Sequence, residues 1–506
     1  MNAVWLFEAD TLDAANQPTV QRWAAGGGFQ TAPSDSPPAA WFEPRVAEAF
    51  SFEANLFDKA TTYGASRIGW GVLKLVNPDG RLDGLLDHAI DGRALRVYLA
   101  DSRQPFAAAS LAFRCRMERL KAETDTLSLE VLDRLVDLDQ PLCAERLLGS
   151  DTAPNGIEGR AELKDRRKPR LYGEVANVSP IGVNPSKNLY LLCSHAATVS
   201  AVRDKGGELL ADAPATSQAD LETVVPAIGH YRVWSSPAGT YLRIGGNPQQ
   251  ITVDARSADS RCASLIQQVL REAGIAAGDI SQADVDALNA LQPAPVGLYV
   301  ADELTALEAI NRLAGSIGAW VAPDRRDVFR LGRLDAPANP ILTLGPAQIV
   351  AGSLRLIGSG NDDRGLPCHT LNLEYDRNDT VQAELIGAAS EAMKTWAKEA
   401  TRKATLQAAA VKTRHPLAAE LTQATLLRRR ADAEAEAARR LALYSVVRRT
   451  WQLEAQLTAA ELGQLSLGCS LTLQHPRFGL AAGKALRLIG WSPDLRAGAV
   501  TLKLWG

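Results

Sequence analysis

Trp70-Gly71-Val72-Leu73-Lys74-Leu75-Val76 runs directly into Asn77-Pro78-Asp79-Gly80. Trp70, Val72, Leu73 and Leu75 form an apolar run of strand length. The four residues after it predict a tight turn, because Pro78 presets φ and Gly80 accepts a positive φ. The same rhythm continues outward in both directions. Upstream, Val4–Ala9 and Phe29–Thr31 read as short strands, punctuated by Ala25-Gly26-Gly27-Gly28 and by Pro33-Ser34-Asp35-Ser36-Pro37-Pro38. Residues 50–58 continue the pattern. Downstream, Arg93–Ala100 and Leu111–Leu120 are strands, and Leu127–Val136 is strand passing into turn. Strands at such close spacing predict an antiparallel sandwich or barrel over residues 1–150.

A second β-rich segment is expected at 151–258. Its polar start, 144–170, holds Pro154-Asn155-Gly156 and the charge run Lys164-Asp165-Arg166-Arg167-Lys168, which reads as a solvated linker or an inter-subunit salt-bridge face. Strands follow at Leu189–Cys193, Thr198–Arg203 and Tyr231–Val233. Thr240–Ile244 and Gln250–Val253 flank Gly245-Gly246-Asn247-Pro248, which predicts a hairpin loop. Residues 259–335 change period. Leu265, Ile266, Val269 and Leu270 share a helical face, Ser281 suits an N-cap, and Leu304, Leu307, Ile310 and Leu313 form a third stripe. Trp320-Val321-Ala322 and Val328–Leu331 pair across Asp324–Asp327, giving a small α/β insert. A C-terminal β-rich segment is expected at 336–506, with strands at Ala351–Ile357, Thr370–Asp376, Thr450–Leu457, Ser470–Gln474, Ala485–Ser492 and Ala499–Trp505. A long helix is predicted near 417–442, with Arg430→Glu434 and Glu436→Arg440 at i,i+4 spacing. The expected fold class is α+β, predominantly β, with several barrel or sandwich domains.

Composition narrows the function classes. A chain of 506 residues holds about three to four domains at ~100–200 residues each. Hydrophobic residues at 46% and charged residues at 22% are ordinary for globular protein and exclude wholesale disorder. A net charge of −3 is too weak to draw nucleic acid over the whole surface. The six cysteines lack CxxC or zinc spacing and read as reduced, buried and apolar. The start, with Glu8 and Asp10 and no basic region, does not read as a signal peptide, and no apolar run approaches the ~20 residues of a membrane span. A soluble chain made in the cytoplasm is expected.

No catalytic signature emerges. HExxH, GxSxG and GxxxxGK[ST] are absent from the sequence. The six histidines, at 88, 195, 230, 369, 415 and 475, are scattered singly. Cys368-His369 is the one neighbouring Cys/His pair, and adjacent strand residues point to opposite faces. Asn361, Asp362 and Asp363, within Gly358–Gly365, lack the alternating spacing of a calcium loop. Accordingly no catalytic, cofactor-binding or metal-ligating residue is assigned, no cofactor is expected, and the chain is expected not to be an enzyme. The aromatics Trp5, Trp23, Phe29, Trp41 and Phe42 offer a sugar-stacking alternative, although at strand spacing they fit a core or an interface better.

Several phrases carry a family resemblance. Ser66-Arg67-Ile68-Gly69-Trp70 through Arg81-Leu82-Asp83 resembles a phrase of tail proteins from long-tailed bacteriophages and prophages, as does Asp91-Gly92-Arg93. Lys168-Pro169-Arg170-Leu171-Tyr172-Gly173-Glu174 through Ser179-Pro180, leading to Val202-Arg203-Asp204-Lys205-Gly206, resembles them too. So do Leu467-Gly468, His475-Pro476-Arg477-Phe478-Gly479-Leu480 and the closing Leu502-Lys503-Leu504-Trp505-Gly506. The likeness touches most of the chain but is a composite of weak motifs, none of them catalytic. It implies a tail hub protein of the tip or baseplate, with β-barrel domains like those of contractile-tail hubs and type VI secretion spikes. The implied function is a structural ring, often a trimer, joining the tail tube to the central tip and forming part of the DNA ejection channel. Implied partners are other copies of the chain, distal tail and tail tube proteins, a central tip or spike, and tail fibre proteins. Genomic DNA is implied only in transit, and stable membrane insertion is not. The implied location is the virion tail, after synthesis in the host cytoplasm. A distal tail ring, a receptor- or carbohydrate-binding tail protein and a tail-borne cell-wall hydrolase are the alternatives.

Overall fold

The structure, a computed structural model, describes residues 3–47, 51–57, 66, 68–152, 154–359, 366–494 and 499–506. It is predominantly β with a smaller helical share, the expected α+β class. Seven strands close a barrel in the order Trp70–Val76, Thr126–Leu132, Ser110–Glu123, Ala94–Asp101, Ala3–Leu12, Pro18–Ala25, Trp41–Val46. Val46 opposite Leu75 completes the ring. In Trp70–Val76, Gly71, Leu73 and Leu75 face the core while Trp70 faces out, the alternation expected of a half-buried strand. One barrel contact departs from the antiparallel expectation. Pro18–Ala25 runs parallel to Trp41–Val46, because the Gly26–Ala40 connection brings the chain back before it pairs. The Asn77–Gly80 turn forms as read: Gly80 has φ +67°, and its N–H donates to the Asn77 carbonyl at 3.3 Å. Arg45 holds that turn with two bonds to Asp79, at 2.8 and 2.7 Å.

Ser51–Asn55 leaves the barrel and joins it to the C-terminal half. One edge pairs with Trp70–Val76, and the other sets Asn55 opposite Gly490 and Ala54 opposite Trp491. Lys484–Asp494 continues through Ala499–Trp505 and Arg449–Gln456 to Arg355–Ser359, so one sheet holds fifteen strands. Phe7, Leu73 and Phe113 of the barrel share one apolar core with Trp451, Leu453, Leu486 and Leu502.

The segment 170–256 packs two sheets around Val175, Leu192, Leu242 and Val253; one has five strands, and the other gains its fifth, Gly297–Val300, at one edge. The hairpin expected at Gly245–Pro248 does not form. Gly239–Ile244 pairs with Leu189–Cys193 and His230–Ser236 in one sheet, and Ile251–Arg256 lies in the other. The loop crosses between sheets because Gly245 lies against the Ala227 carbonyl, where a Cβ would come within 2.0 Å.

The insert follows its reading. Helices Cys262–Glu272, Gln282–Leu291 and Ala306–Ser316 pack beside the hairpin Ala319–Pro323/Phe329–Arg333. Thr305 and Glu308 form a reciprocal cap, and the Asp284 N–H donates to Ser281 Oγ. Further on, two boundaries differ. The helix expected over 417–442 begins only at Arg430 and ends at Tyr444. Ala419–Ala424 before it is a strand, parallel to Cys368–Tyr375, with Leu421 and Gln423 turned inward. The strand expected at Ala351–Ile357 spans Arg355–Ser359, since Gly352 turns at φ +79°. Asn361, Asp362 and Asp363 lie outside the described residues.

Gly173 is where sandwich meets insert. Its φ is +73°, and a Cβ there would lie 1.9 Å from the Val296 carbonyl oxygen. The position therefore excludes any side chain. Gly173→Ala is expected to destabilise the chain by roughly 2 kcal/mol or more, counting a positive-φ cost of ~1–2 kcal/mol plus the clash. Equilibrium denaturation measures it, and an unchanged midpoint would contradict this account of the seam.

Candidate interaction surface

The scattered histidines have local structural roles. His88 Nδ1 lies 2.9 Å from Thr11 Oγ1, His195 Nε2 lies 2.9 Å from the Leu171 carbonyl, and His230 Nδ1 lies 2.7 Å from Asp212. Burial holds His195 below the usual imidazole range. All six cysteines are unpaired, and burial pushes the Cys115, Cys262 and Cys368 thiols up. Among the described residues no group of three or more His, Cys, Asp or Glu side chains is placed to hold a metal ion. The basic run is tied down within the chain: Arg167 reaches Glu303 at 2.7 Å and Lys168 reaches Glu158 at 2.6 Å. Arg203 pairs with Asp254 at 2.7 Å, while Asp204 accepts the Gln249 and Gln250 N–H groups. Of the aromatics with a sugar-stacking alternative, Trp5, Trp23, Phe29 and Phe42 are buried in the barrel, and Trp41 alone is exposed.

Sequence reading missed the polar seam between barrel and insert. Asp133 ends a barrel strand and caps the next turn, accepting from Gly69 N–H at 2.7 Å and Leu135 N–H at 2.9 Å. The neighbouring cations are committed to other carboxylates. Arg116 holds Asp327 at 2.9 Å, and Arg134 holds Asp279 at 2.8 Å while lying over the Phe329 ring. Asp133 is thus a buried carboxyl without an ion-pair partner among the described residues. Desolvation raises its pKa to about 7; Asp327 and Asp137 push the same way, and the two N–H donors oppose them. Beside it is a partly open cavity walled by Phe52, Phe113, Pro323, Leu465 and Trp491.

Several strongly exposed apolar side chains lie at one end of the sandwich, while Leu417, 77% exposed, lies in the C-terminal segment. Ile228 is 87% exposed, Val225 68% and Leu210 65%. The Leu210 N–H donates to the Gly229 carbonyl, so these loops are pinned side by side. Val224 and Val225 follow the short helix Gln218–Thr223, which Ser217 caps and whose Asp220 binds Arg232 at 3.1 Å. Ile228 also enters a groove of about 890 Å³ whose far wall is Ile386, Met393 and Trp396. The groove floor is glycine-rich, with Gly206, Gly207, Gly229 and Gly245. A Cβ on Gly207 would lie 2.4 Å from Ile386, and the Ile386 N–H donates to the Lys205 carbonyl at 3.0 Å. Apolar surface held on a rigid frame beside a groove is suited to binding another protein.

The chain is thus predominantly β, with strongly exposed apolar side chains at the end of the sandwich. Its sequence matches no protein-family model. It matches no curated protein either. Its fold is similar to that of a tail protein from Neisseria meningitidis MC58, at 8% identity and TM-score 0.43, over 99% of this chain and 96% of that one. It is also similar to the 43 kDa tail protein of prophage MuSo2 from Shewanella oneidensis, at 9% identity and TM-score 0.42, over 92% and 94%. A third is prophage tail protein gp18 from Listeria monocytogenes EGD-e, at 6% identity and TM-score 0.39, over 100% and 94%.

The Asp133 seam has a signed pH dependence. Its folded pKa, about 7, lies above the ordinary 3.8, so between these values the folded state binds more protons than the unfolded. Its contribution therefore favours folding as pH falls through 7 toward 4, and weakens it as pH rises. Asp133→Asn is expected to be more stable relative to wild type at pH 8 than at pH 5. Denaturant midpoints of the two proteins at both pH values measure this, and a constant difference would refute it.

Proposed function

We propose that this chain is a non-enzymatic structural subunit of a bacteriophage tail tip or baseplate, forming a trimeric hub ring between the tail tube and the central tip. The observation that carries the reading is the apolar end of the sandwich. Burying a large apolar side chain contributes about 1.5–3 kcal/mol, so Leu210, Val225 and Ile228 together offer a sizeable gain to any assembly that covers them. The fused barrel and C-terminal sheet support the same reading, since a continuous sheet suits a rigid ring wall. Sequence phrases that resemble tail proteins include residues 70–83 on the barrel, 170–180 on the sandwich, and 475–480 and 502–506 on the C-terminal sheet and its loops.

In this reading segments 1–150, 151–258, 259–335 and 336–506 are the subunit's modules, the first and last acting as one body through their shared sheet. Distal tail and tube proteins meet one face of the ring, and the tip or spike and tail fibres meet the other. Genomic DNA passes through without being held, in keeping with a net charge of −3. The ring's place is the virion tail, after synthesis in the host cytoplasm.

Light scattering of the purified chain is expected to give three times the chain mass at micromolar concentration. Val225→Asp combined with Ile228→Asp is expected to shift it to monomer with an unchanged circular dichroism spectrum. A wild-type monomer at all concentrations, together with absence of the chain from purified tails, would overturn the proposal.

A further inference from the structure

The outer face of the joined sheet carries an open trough that the assembly reading does not use. Its volume is about 330 Å³, and it is lined by Trp70, Gln452, Trp491, Ser492, Thr501 and Lys503, with Glu53 and Phe52 at its edge. That volume is at the small end of the roughly 300–1,000 Å³ typical of ligand sites. Strand alternation builds its floor. Trp451, Leu453, Leu502 and Leu504 point into the core, which turns Gln452, Thr501 and Lys503 outward. Register sets Gln452 opposite Lys503 and Thr501 opposite Ser492. Gly490, opposite both Asn55 and Lys503, leaves the floor low; a Cβ there would come within 2.3 Å of Asn55 Oδ1.

Trp70 walls the trough and is 51% exposed. It stands on a barrel strand whose neighbours in the sheet are Glu53 on one side and Leu132 on the other. Trp491 is fixed from below, edge-on to Phe113 at 5.5 Å between ring centroids. The lysine at the trough is already paired. Lys503 binds the Glu53 carboxylate and also donates to Asn55 Oδ1 at 3.3 Å. The described lining thus sets an exposed indole beside an amide, two hydroxyls and the Lys503–Glu53 pair.

That set of groups selects a ligand class. Among the described lining residues a polyanion would find no unpaired cation. A wholly apolar ligand would leave Gln452, Ser492 and Thr501 without partners, which disfavours it. A neutral, polyhydroxylated ring satisfies both halves, with C–H groups on the Trp70 face and hydroxyls on the sheet's polar side chains. We propose that the Trp70–Gln452–Thr501 trough is a saccharide-binding site for a neutral glycan of one or two rings. This inference stands on the trough alone and holds whatever the oligomeric state.

Saturation-transfer NMR on the full chain tests it, using methyl glycosides of glucose, galactose, N-acetylglucosamine and rhamnose and the disaccharides maltose and chitobiose. At least one neutral sugar is expected to show saturable transfer. Trp70→Ala is expected to weaken it by tenfold or more, Trp70→Phe to restore most of it, and Trp41→Ala, at the other exposed barrel tryptophan, to leave it unchanged. The Trp70 side chain faces outward, so folding of the variant is expected to match wild type by thermal melt. No transfer from any of these sugars, transfer that survives Trp70→Ala, or selective binding of heparin in their place would overturn the proposal. Loss of the trimer would leave this result intact, so the two proposals fail separately.

Discussion

Ser51–Asn55 is a five-residue strand, and both halves of the molecule depend on the hydrogen bonds along its two edges. On one side it pairs with Trp70–Val76 of the barrel, and on the other with Lys484–Asp494 of the C-terminal sheet. The Leu56 N–H extends the contact to the Ile489 carbonyl at 2.8 Å. Its side chains are divided between cores. Phe52 and Ala54 join the core shared by the two sheets, while Leu56 and Phe57 enter the core of the insert. A segment this short has little propensity of its own. Long-range pairing holds it, and it is one strand that touches barrel, insert and C-terminal sheet at once.

The seams between modules are polar where the cores are apolar. Helix Arg430–Tyr444 buries Glu436 against Arg440 at 2.6 Å and Arg439 at 2.7 Å, and the two arginines reach the Gly315 and Leu334 carbonyls of the insert. Asn177, at φ +57°, donates to Asn378 Oδ1 and the Thr380 carbonyl, binding the sandwich to the segment after Tyr375. Buried charges and amides cost desolvation, so they add little net stability. They are sensitive to geometry, however, and a shifted seam would leave each of them unpaired. Apolar packing supplies the cohesion, and these groups fix how one module sits on the next.

Local patterns in the sequence carried the strands, the caps and the turns. Trp70–Gly80 reads correctly because period-two alternation and Pro-Gly turn chemistry are both short-range. Ser281 and Asp284 are likewise three residues apart. What failed was set by distant partners. Ala419–Ala424 reads as helix by composition, but Cys368–Tyr375 recruits it as a parallel strand. Gly245–Pro248 has hairpin residues, but the Ala227 carbonyl against Gly245 sends the chain to the other sheet. The candidate surfaces were illegible for the same reason. Ile228 and Ile386 meet across one groove, and Trp70 and Thr501 across one trough, from remote parts of the chain. Periodicity identified Trp70 as a strand residue but held no sign of what would stand opposite it.

The two surfaces have different chemistry, and this bears on how each can be used. The sandwich end is apolar, with side chains as exposed as Ile228, so its contact with water is costly in every state in which it is uncovered. Such a face suits a partner that stays. The Trp70 trough is polar apart from its indoles, and its Lys503 is already paired with Glu53. Water satisfies its hydroxyls and amide when it is empty, so a ligand gains only the difference between its own bonds and those of water. That difference is small, which suits a contact made and released many times. A permanent interface and a reversible one can therefore share this chain without competing, because the shared sheet holds the trough rigid whether or not the sandwich end is covered.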